Sequence, residues 1–307
     1  MKTLPLVTVI IPAYNASAYI VEAVQSVLDQ TYRNIEVIVI DDCSSDDTYQ
    51  LCLNMAAIDK RLLIFRNEFN QRIAASLNRA ISLATGEFVA RMDADDICLP
   101  QRIARQLDFL QANSEFAMVG SSVDIIDSGG KWLSTQRMPC FPKCMQGLRF
   151  GSTIAHPTWF ARREFFTTVG EYRIAGVEDY DYLLRANALG LKMSNVTEVL
   201  LQYRVSNTNS NHQYGLKQVK LVSYVQAVNG ISTYRGRLTY DEATIDSHVT
   251  YSLLSARLYG VSQLFFDRAY SSKTLIGKIM NFIMAAVVSP YGALRLWRSL
   301  AWKIVTR

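Results

Sequence analysis

Four short apolar runs, each followed by a polar break, constrain this chain more than any other feature. Residues 6–11 (LVTVII) and 35–40 (IEVIVI) are continuous, β-branched runs of the kind that form strands buried on both faces. Residues 62–65 and 88–92 supply two more. Between the first two, Ile20, Val24, Val27 and Leu28 mark one face of an amphipathic helix, with Asn15 or Ser17 as candidate N-cap. Ser44, Ser45 and Asp46 can cap a second helix reaching about residue 57, and a third over about 74–84 stops at Gly86. Strands alternating with helices through short links predict an α/β fold with a mostly parallel sheet and helices on both faces.

Ligands of such sheets bind beyond the carboxyl ends of the strands. Three polar clusters fall there: Pro12-Ala13-Tyr14-Asn15, Asp41-Asp42, and Asp93-Ala94-Asp95-Asp96. Two carboxylates two residues apart at a strand end can converge on a hard cation such as Mg2+ or Mn2+. Taken alone, the D-x-D-D stretch fits a solvated acidic turn better. Carboxylates at the ends of two strands of one sheet shift that balance. No G-x-G-x-x-G opens the first turn and no G-x-x-x-x-G-K-[ST] occurs, so neither a dinucleotide-dependent dehydrogenase nor a P-loop enzyme is expected. If phosphate binds, a metal must neutralise it.

The 307 residues, half of them hydrophobic, can bury a sizeable core in one large domain or two. The first apolar run is short and flanked by Pro5 and Pro12, so it reads as a strand and not as a signal peptide. Five scattered cysteines suit a reducing cytoplasm; Cys140, Cys144 and His156 lack a fourth ligand for zinc. The net charge of +5 is unevenly spread. No acid follows Asp267, whereas seven basic residues do, leaving 25 basic against 27 acidic residues before that point. Residues 249–270 carry a helical period, and 275–288 are strongly apolar but too short to span a bilayer of ~30 Å hydrocarbon. Residues 293–305 place Leu294, Trp297, Leu300 and Ile304 on one face and Arg295, Arg298 and Lys303 elsewhere, the pattern of a helix in a membrane interface. Nucleic-acid binding is not expected, since no known module accompanies the charge.

Residues 7–32 (VTVIIPAYNASAYIVEAVQSVLDQTY), 36–48 (EVIVIDDCSSDDT) and 70–106 (NQRIAASLNRAISLATGEFVARMDADDICLPQRIARQ) resemble family 2 glycosyltransferases of the GT-A fold. The likeness resumes at 156–173 (HPTWFARREFFTTVGEYR) and 176–190 (GVEDYDYLLRANALG), and more weakly at 200–210, covering roughly two thirds of the chain. The resemblance implies that Pro12, Ala13, Tyr14 and Glu22 surround a nucleotide, that Asp42 faces its base or ribose with Asp41 beside it, and that Asp93, Ala94 and Asp95 form the donor motif. In that motif Asp93 and Asp95 hold Mn2+ or Mg2+, with Asp96 adjacent. It also implies that Asp179, next to Glu178, is the general base. Without it, Asp179 reads as an acid in the first turn of a helix. His156 of the His-Pro pair lines a pocket or serves structurally. Trp159 could stack on a sugar but is more often core. Arg204 could pair with diphosphate. Where the family often carries Gly, this chain has Arg72, read as a surface substitution ahead of a phosphate contact.

The expectation is therefore a GT-A domain in two halves, a nucleotide-sugar half over 1–110 and an acceptor half over 111–211, followed by a helical, basic extension over 212–307. The expected activity is inverting transfer from a nucleotide-sugar, most simply a UDP-sugar, to a glycan or lipid-linked acceptor in cell-surface polysaccharide synthesis. The expected place is the cytoplasmic face of the membrane. A non-catalytic nucleotide-sugar-binding or scaffold subunit is the alternative from another class. A processive synthase is disfavoured by the lack of Q-x-x-R-W and of spanning helices. A nucleotidyltransferase is disfavoured by the lack of a Gly-rich, Arg-containing loop after strand one.

Overall fold

The computed structural model describes residues 4–205, 212–230, 240–272 and 274–306. Strands β1 (Val7–Ala13), β2 (Ile35–Asp41), β3 (Leu62–Arg66) and β4 (Phe88–Arg91) lie parallel in the order β3-β2-β1-β4. Helices α1 (Ile20–Leu28), α2 (Thr48–Ala56) and α3 (Arg72–Leu83) connect them. Because successive strand residues point to opposite faces, two apolar layers form. Val7, Val9, Ile11, Val37 and Val39 join Ile20, Val24 and Val27 of α1 in one core. Ile10, Ile38 and Ile40 are fully buried on the other face, where α3 packs against β1 and β2.

Beyond β4 the sheet becomes mixed. β8 (Phe160–Arg162) runs antiparallel to β4, β6 (Phe116–Ile126) antiparallel to β8, and β9 (Lys192–Arg204) parallel to β6. The two-residue β5 (Ile97–Cys98) closes that edge, and β7 (Trp132–Gln136) forms a hairpin with β6. The mostly parallel arrangement thus holds for β1–β4. Segments as short as β5 and β8 carry too few residues for a period to show.

Helix entry also differs from the sequence reading. Tyr19 precedes α1 without a side-chain cap, and Asn15 adopts a left-handed φ of 48°. Asn15 Oδ1 instead accepts from the Ser45 backbone N–H at 2.9 Å, tying the β1 turn to the β2 turn. Gly86 serves close approach and not helix termination: a Cβ there would lie 2.7 Å from the Leu6 carbonyl oxygen.

Two compact units result, one of residues 1–145 with 152–207, the other of 146–151 with 208–307. The single sheet runs across residue 110. The first unit also contains α4 (Arg102–Ala112), α6 (Arg163–Val169) and α7 (Glu178–Ala188), and the short α5 (Lys143–Gly147) straddles the unit boundary. The second holds α8 (His212–Val228), α9 (Glu242–Val249), α10 (Leu253–Ser271), α11 (Leu275–Val288) and α12 (Pro290–Thr306). The helical period expected over 249–270 is broken before α10, where Ser252 caps by accepting from the Ser255 N–H.

Candidate active site

The ends of β1, β2 and β4 meet at one edge of the sheet. Ala13 pairs in register with Asp41, the Asp42 N–H donates to the Ala13 carbonyl at 2.8 Å, and the Met92 N–H donates to Ile10 at 3.1 Å. Pro12 and Ala13 are buried there, while Tyr14 projects outward and is exposed. Asp41 is fully buried; its Oδ2 accepts from Ser44 N–H at 3.2 Å and pairs with Arg66 Nε at 3.1 Å, and its Oδ1 has no partner. Asp42 accepts three bonds, from Asn67 Nδ2 (2.6 Å), Gln71 N–H (2.9 Å) and Arg72 N–H (2.7 Å). It therefore fixes the start of α3. Arg72 itself is exposed with φ 68°, a backbone state that favours glycine.

The D-x-D-D turn is organised by an arginine that sequence reasoning passed over. Arg91, at the end of β4, is 1% exposed and grips Asp93 with both guanidinium ends, Nη1 to Oδ2 at 2.9 Å and Nη2 to Oδ1 at 2.5 Å. The signal was present, because residues two apart in an extended segment point the same way, which puts Arg91 beside Asp93. Ala94 is buried, and Asp95 and Asp96 follow. Burial and the Asp93 charge both push Asp95 above the usual carboxylate range, and push Asp96 well above it. Asp96 Oδ1 accepts from the Arg204 N–H at 2.9 Å, and its buried Oδ2 has no partner.

Arg204 clamps this turn from β9. Nε donates to the Asp95 carbonyl at 2.7 Å, Nη2 pairs with Glu22 of α1 at 2.7 Å, and Nη1 reaches the Asp127 and Ser128 carbonyls. Its guanidinium also lies over Tyr19. All three guanidinium nitrogens have partners, so Arg204 braces the turn in this structure. Glu22 is drawn to the site through it.

Asp179 lies in the first turn of α7 and is half-buried. Burial pushes its carboxyl up to about 6, with the Glu178 charge adding and Arg91 opposing. Glu178 accepts from the Gly176 N–H at 2.6 Å, shaping the loop before the helix. Two residues on, Asp181 is buried and neutralised by Arg173 (2.6 Å) and Arg185 (3.0 Å). Among the described residues no ion pair neutralises Asp179. His156 Nε2 shares a 3.1 Å hydrogen bond with Tyr172 Oη, and burial and Arg91 hold the imidazole well below its ordinary pKa, so it is neutral. Trp159 is fully buried with its ring 4.6 Å from His156, which makes it core and removes it as a sugar platform. Tyr172, also unanticipated, links His156 to Tyr182 of α7, whose ring is 4.4 Å away.

Among the described residues no three His, Cys, Asp or Glu side chains are placed to hold a metal by themselves, and all five cysteines are free. The carboxylates at 93, 95 and 96 do fit a hard divalent cation that draws its remaining ligands from phosphate and water. They are crowded, Asp95 and Asp96 are pushed up by burial and by the Asp93 charge, and one buried oxygen of Asp96 is unpartnered.

The strand order and the carboxylate edge define a GT-A-type fold, and solved structures agree. The chain superposes on S. aureus TarS in complex with UDP-GlcNAc with a TM-score of 0.60 at 17% identity, covering 98% of this chain and 90% of that one. It superposes on the mannosyltransferase PcManGT from Pyrobaculum calidifontis, in complex with GDP-Man and Mn2+, with a TM-score of 0.60 at 18% identity, covering 99% and 86%. The family model described as "Glycosyl transferase family 2" matches residues 8–170, and the chain belongs to that family of glycosyltransferases. Relatives include the putative glycosyltransferase EpsE of Bacillus subtilis, 33% identical over 66% of this chain and 74% of that one. The O-antigen biosynthesis glycosyltransferase WbnJ of Escherichia coli is 28% identical over 73% and 89%.

Proposed function

We propose that this enzyme transfers a sugar, with inversion, from a nucleoside-diphosphate sugar to a glycan or lipid-linked acceptor in cell-surface polysaccharide synthesis. The observation that carries the reading is the contrast between two carboxylate environments on either side of Arg91. Asp93, Asp95 and Asp96 crowd at one strand end, suited to a cation and a diphosphate. Asp179 is held at about 6 with no cation bonded to it, suited to taking a proton near neutrality.

In this reading, Pro12, Ala13, Tyr14, Asp41 and Asp42 line the nucleotide, with Ala94 beside it. Asp93 and Asp95 hold the Mn2+ or Mg2+, which when bound stabilises the charge of the departing diphosphate as a Lewis acid. The acceptor hydroxyl oxygen forms a bond to the anomeric carbon as the bond from that carbon to the phosphate oxygen breaks. The hydroxyl proton goes to Asp179, and the nucleoside diphosphate leaves with the electron pair. A single displacement inverts the anomeric centre. Arg91 holds Asp93 with both guanidinium ends and opposes the rise in the Asp179 pKa, and Arg204 keeps the D-x-D-D turn in place. A UDP-sugar is the favoured donor, supported by the UDP and UDP-GlcNAc complexes of TarS; the GDP-Man complex of PcManGT makes GDP-sugars the competitor. The surface-glycan role is supported by the O-antigen name of WbnJ. A membrane-surface location, where such acceptors reside, is supported by the seven basic residues and no acid after Asp267.

The test is release of nucleoside diphosphate from a panel of UDP-, GDP- and dTDP-sugars in the presence of Mn2+, with water or added glycans as acceptor. Metal-dependent release from one nucleotide class is expected. Nucleotide binding without any release would favour the scaffold reading.

A further inference from the structure

The sequence pattern points to the basic stretch 293–305 as the lipid-facing element, but the structure directs two of its cations elsewhere. Arg298 donates to Ser223 Oγ at 3.0 Å and Gln226 Oε1 at 2.6 Å, and Arg295 donates to Gln263 Oε1. Trp297, Leu300 and Ile304 of α12 are exposed, but the longest exposed apolar stripe lies on the α10–α11 hairpin. On α11, Leu275, Ile276, Ile279, Met280, Ile283 and Val287 stand between 48% and 77% exposed. Their spacing of i, i+1, i+4, i+5, i+8 and i+12 makes one stripe along a 14-residue helix. The inner side of α11 is already used: Phe282 packs on Phe266 and Tyr270, and the Ala285 carbonyl accepts from Ser262 Oγ at 2.8 Å. Leu254, Val261 and Leu264 extend the exposed apolar surface onto α10.

We infer that this hairpin lies in the plane of a bilayer containing anionic phospholipid, with the α11 stripe among the acyl chains. Length excludes crossing: fourteen helical residues rise about 21 Å against ~30 Å of hydrocarbon. No described helix is long and apolar enough to span. Charge selects the occupant. Arg268 and Lys278 are exposed near the turn between the helices, and no acid follows Asp267. Phosphate headgroups complement that field. A second copy docked by a two-fold axis would bring Arg268 and Lys278 of both copies together with only Asp267 of each to pair them. The inference rests on the proposed function only for its purpose, access to a membrane-linked acceptor; the docking itself is independent of donor chemistry.

The experiment is flotation of the full chain with vesicles of phosphatidylcholine alone or mixed with phosphatidylglycerol. The wild type should float with the mixed vesicles and much less with phosphatidylcholine. Ile276→Asp/Ile279→Asp/Ile283→Asp, checked for native circular dichroism, should stay behind while releasing diphosphate from donor at the wild-type rate. Arg268→Gln/Lys278→Gln, which leaves the apolar stripe intact, should bind the mixed vesicles about 30-fold less tightly, from ~1 kcal/mol for each cation near the surface. Wild-type protein that floats with neither vesicle overturns the proposal. So does a lipid-free dimer, by light scattering, that the triple variant dissolves, because the stripe would then belong to a second copy.

Discussion

Asp179→Asn should make the protein more stable and catalytically dead, with both effects following from one carboxyl. Its folded pKa is about 6, against about 3.9 for an unperturbed aspartate. A raised pKa means that the folded state binds the proton more tightly than the unfolded chain. The ionised form therefore weakens folding above about pH 6, and the penalty disappears below about pH 4. Two pKa units correspond to about 3 kcal/mol, and the partial exposure of the side chain lowers the figure to about 2. Asparagine keeps one acceptor for the backbone N–H groups of the helix turn and cannot ionise. The variant should gain about 1–2 kcal/mol over wild type at pH 8 by urea unfolding, with the difference vanishing as pH falls to 4. Diphosphate release should drop by ~10²–10⁴-fold. In the wild type, release should decline as pH falls through about 6, where Asp179 takes up its proton. An Asp179→Asn variant that turns over normally, or that is less stable at pH 8, refutes the placement of a strained, ionisable base here.

Arg91→Met should be destabilised on the order of 2 kcal/mol, since the half-buried Asp93 loses its bidentate partner. Arg91 also opposes the rise in the Asp179 pKa, so any residual activity should show its acidic limb displaced to higher pH. An unshifted limb would separate Arg91 from the base. Arg72→Gly should gain ~0.5–1 kcal/mol in urea, because an L side chain at φ 68° costs about 1–2 kcal/mol and glycine's greater unfolded-state freedom returns only part. A loss of diphosphate affinity in that variant would instead mark Arg72 as a phosphate contact.

The first four strands were legible because they are buried on both faces and read as unbroken apolar runs, and the three polar clusters were legible because such strands end abruptly. The mixed half was not. β8 has three residues and β5 two, and their pairing depends on partners far along the chain. At the site, the acids could be named from position, but the arginines that govern them were harder to read. Arg91 sits inside an apolar strand, where its role follows only from the two-residue alternation that aims it at Asp93. Arg204 looks free in sequence, and only the approach of Glu22 and of the Asp95 carbonyl, from elements 182 and 109 residues away, shows that it is a brace. On α12 the periodicity identified an apolar face that is exposed at Trp297, Leu300 and Ile304, but it could not show that Ser223 and Gln226 take Arg298.

The most direct measurement is a calorimetric titration of UDP, GDP and dTDP into the wild type and Asp95→Ala, with and without Mn2+. The account predicts that one nucleotide, UDP first, binds the wild type only with Mn2+ present and fails to bind Asp95→Ala in either condition. Equal binding of the nucleotide with and without metal, unchanged in Asp95→Ala, would contradict the assignment of the crowded carboxylates to a metal-bridged diphosphate.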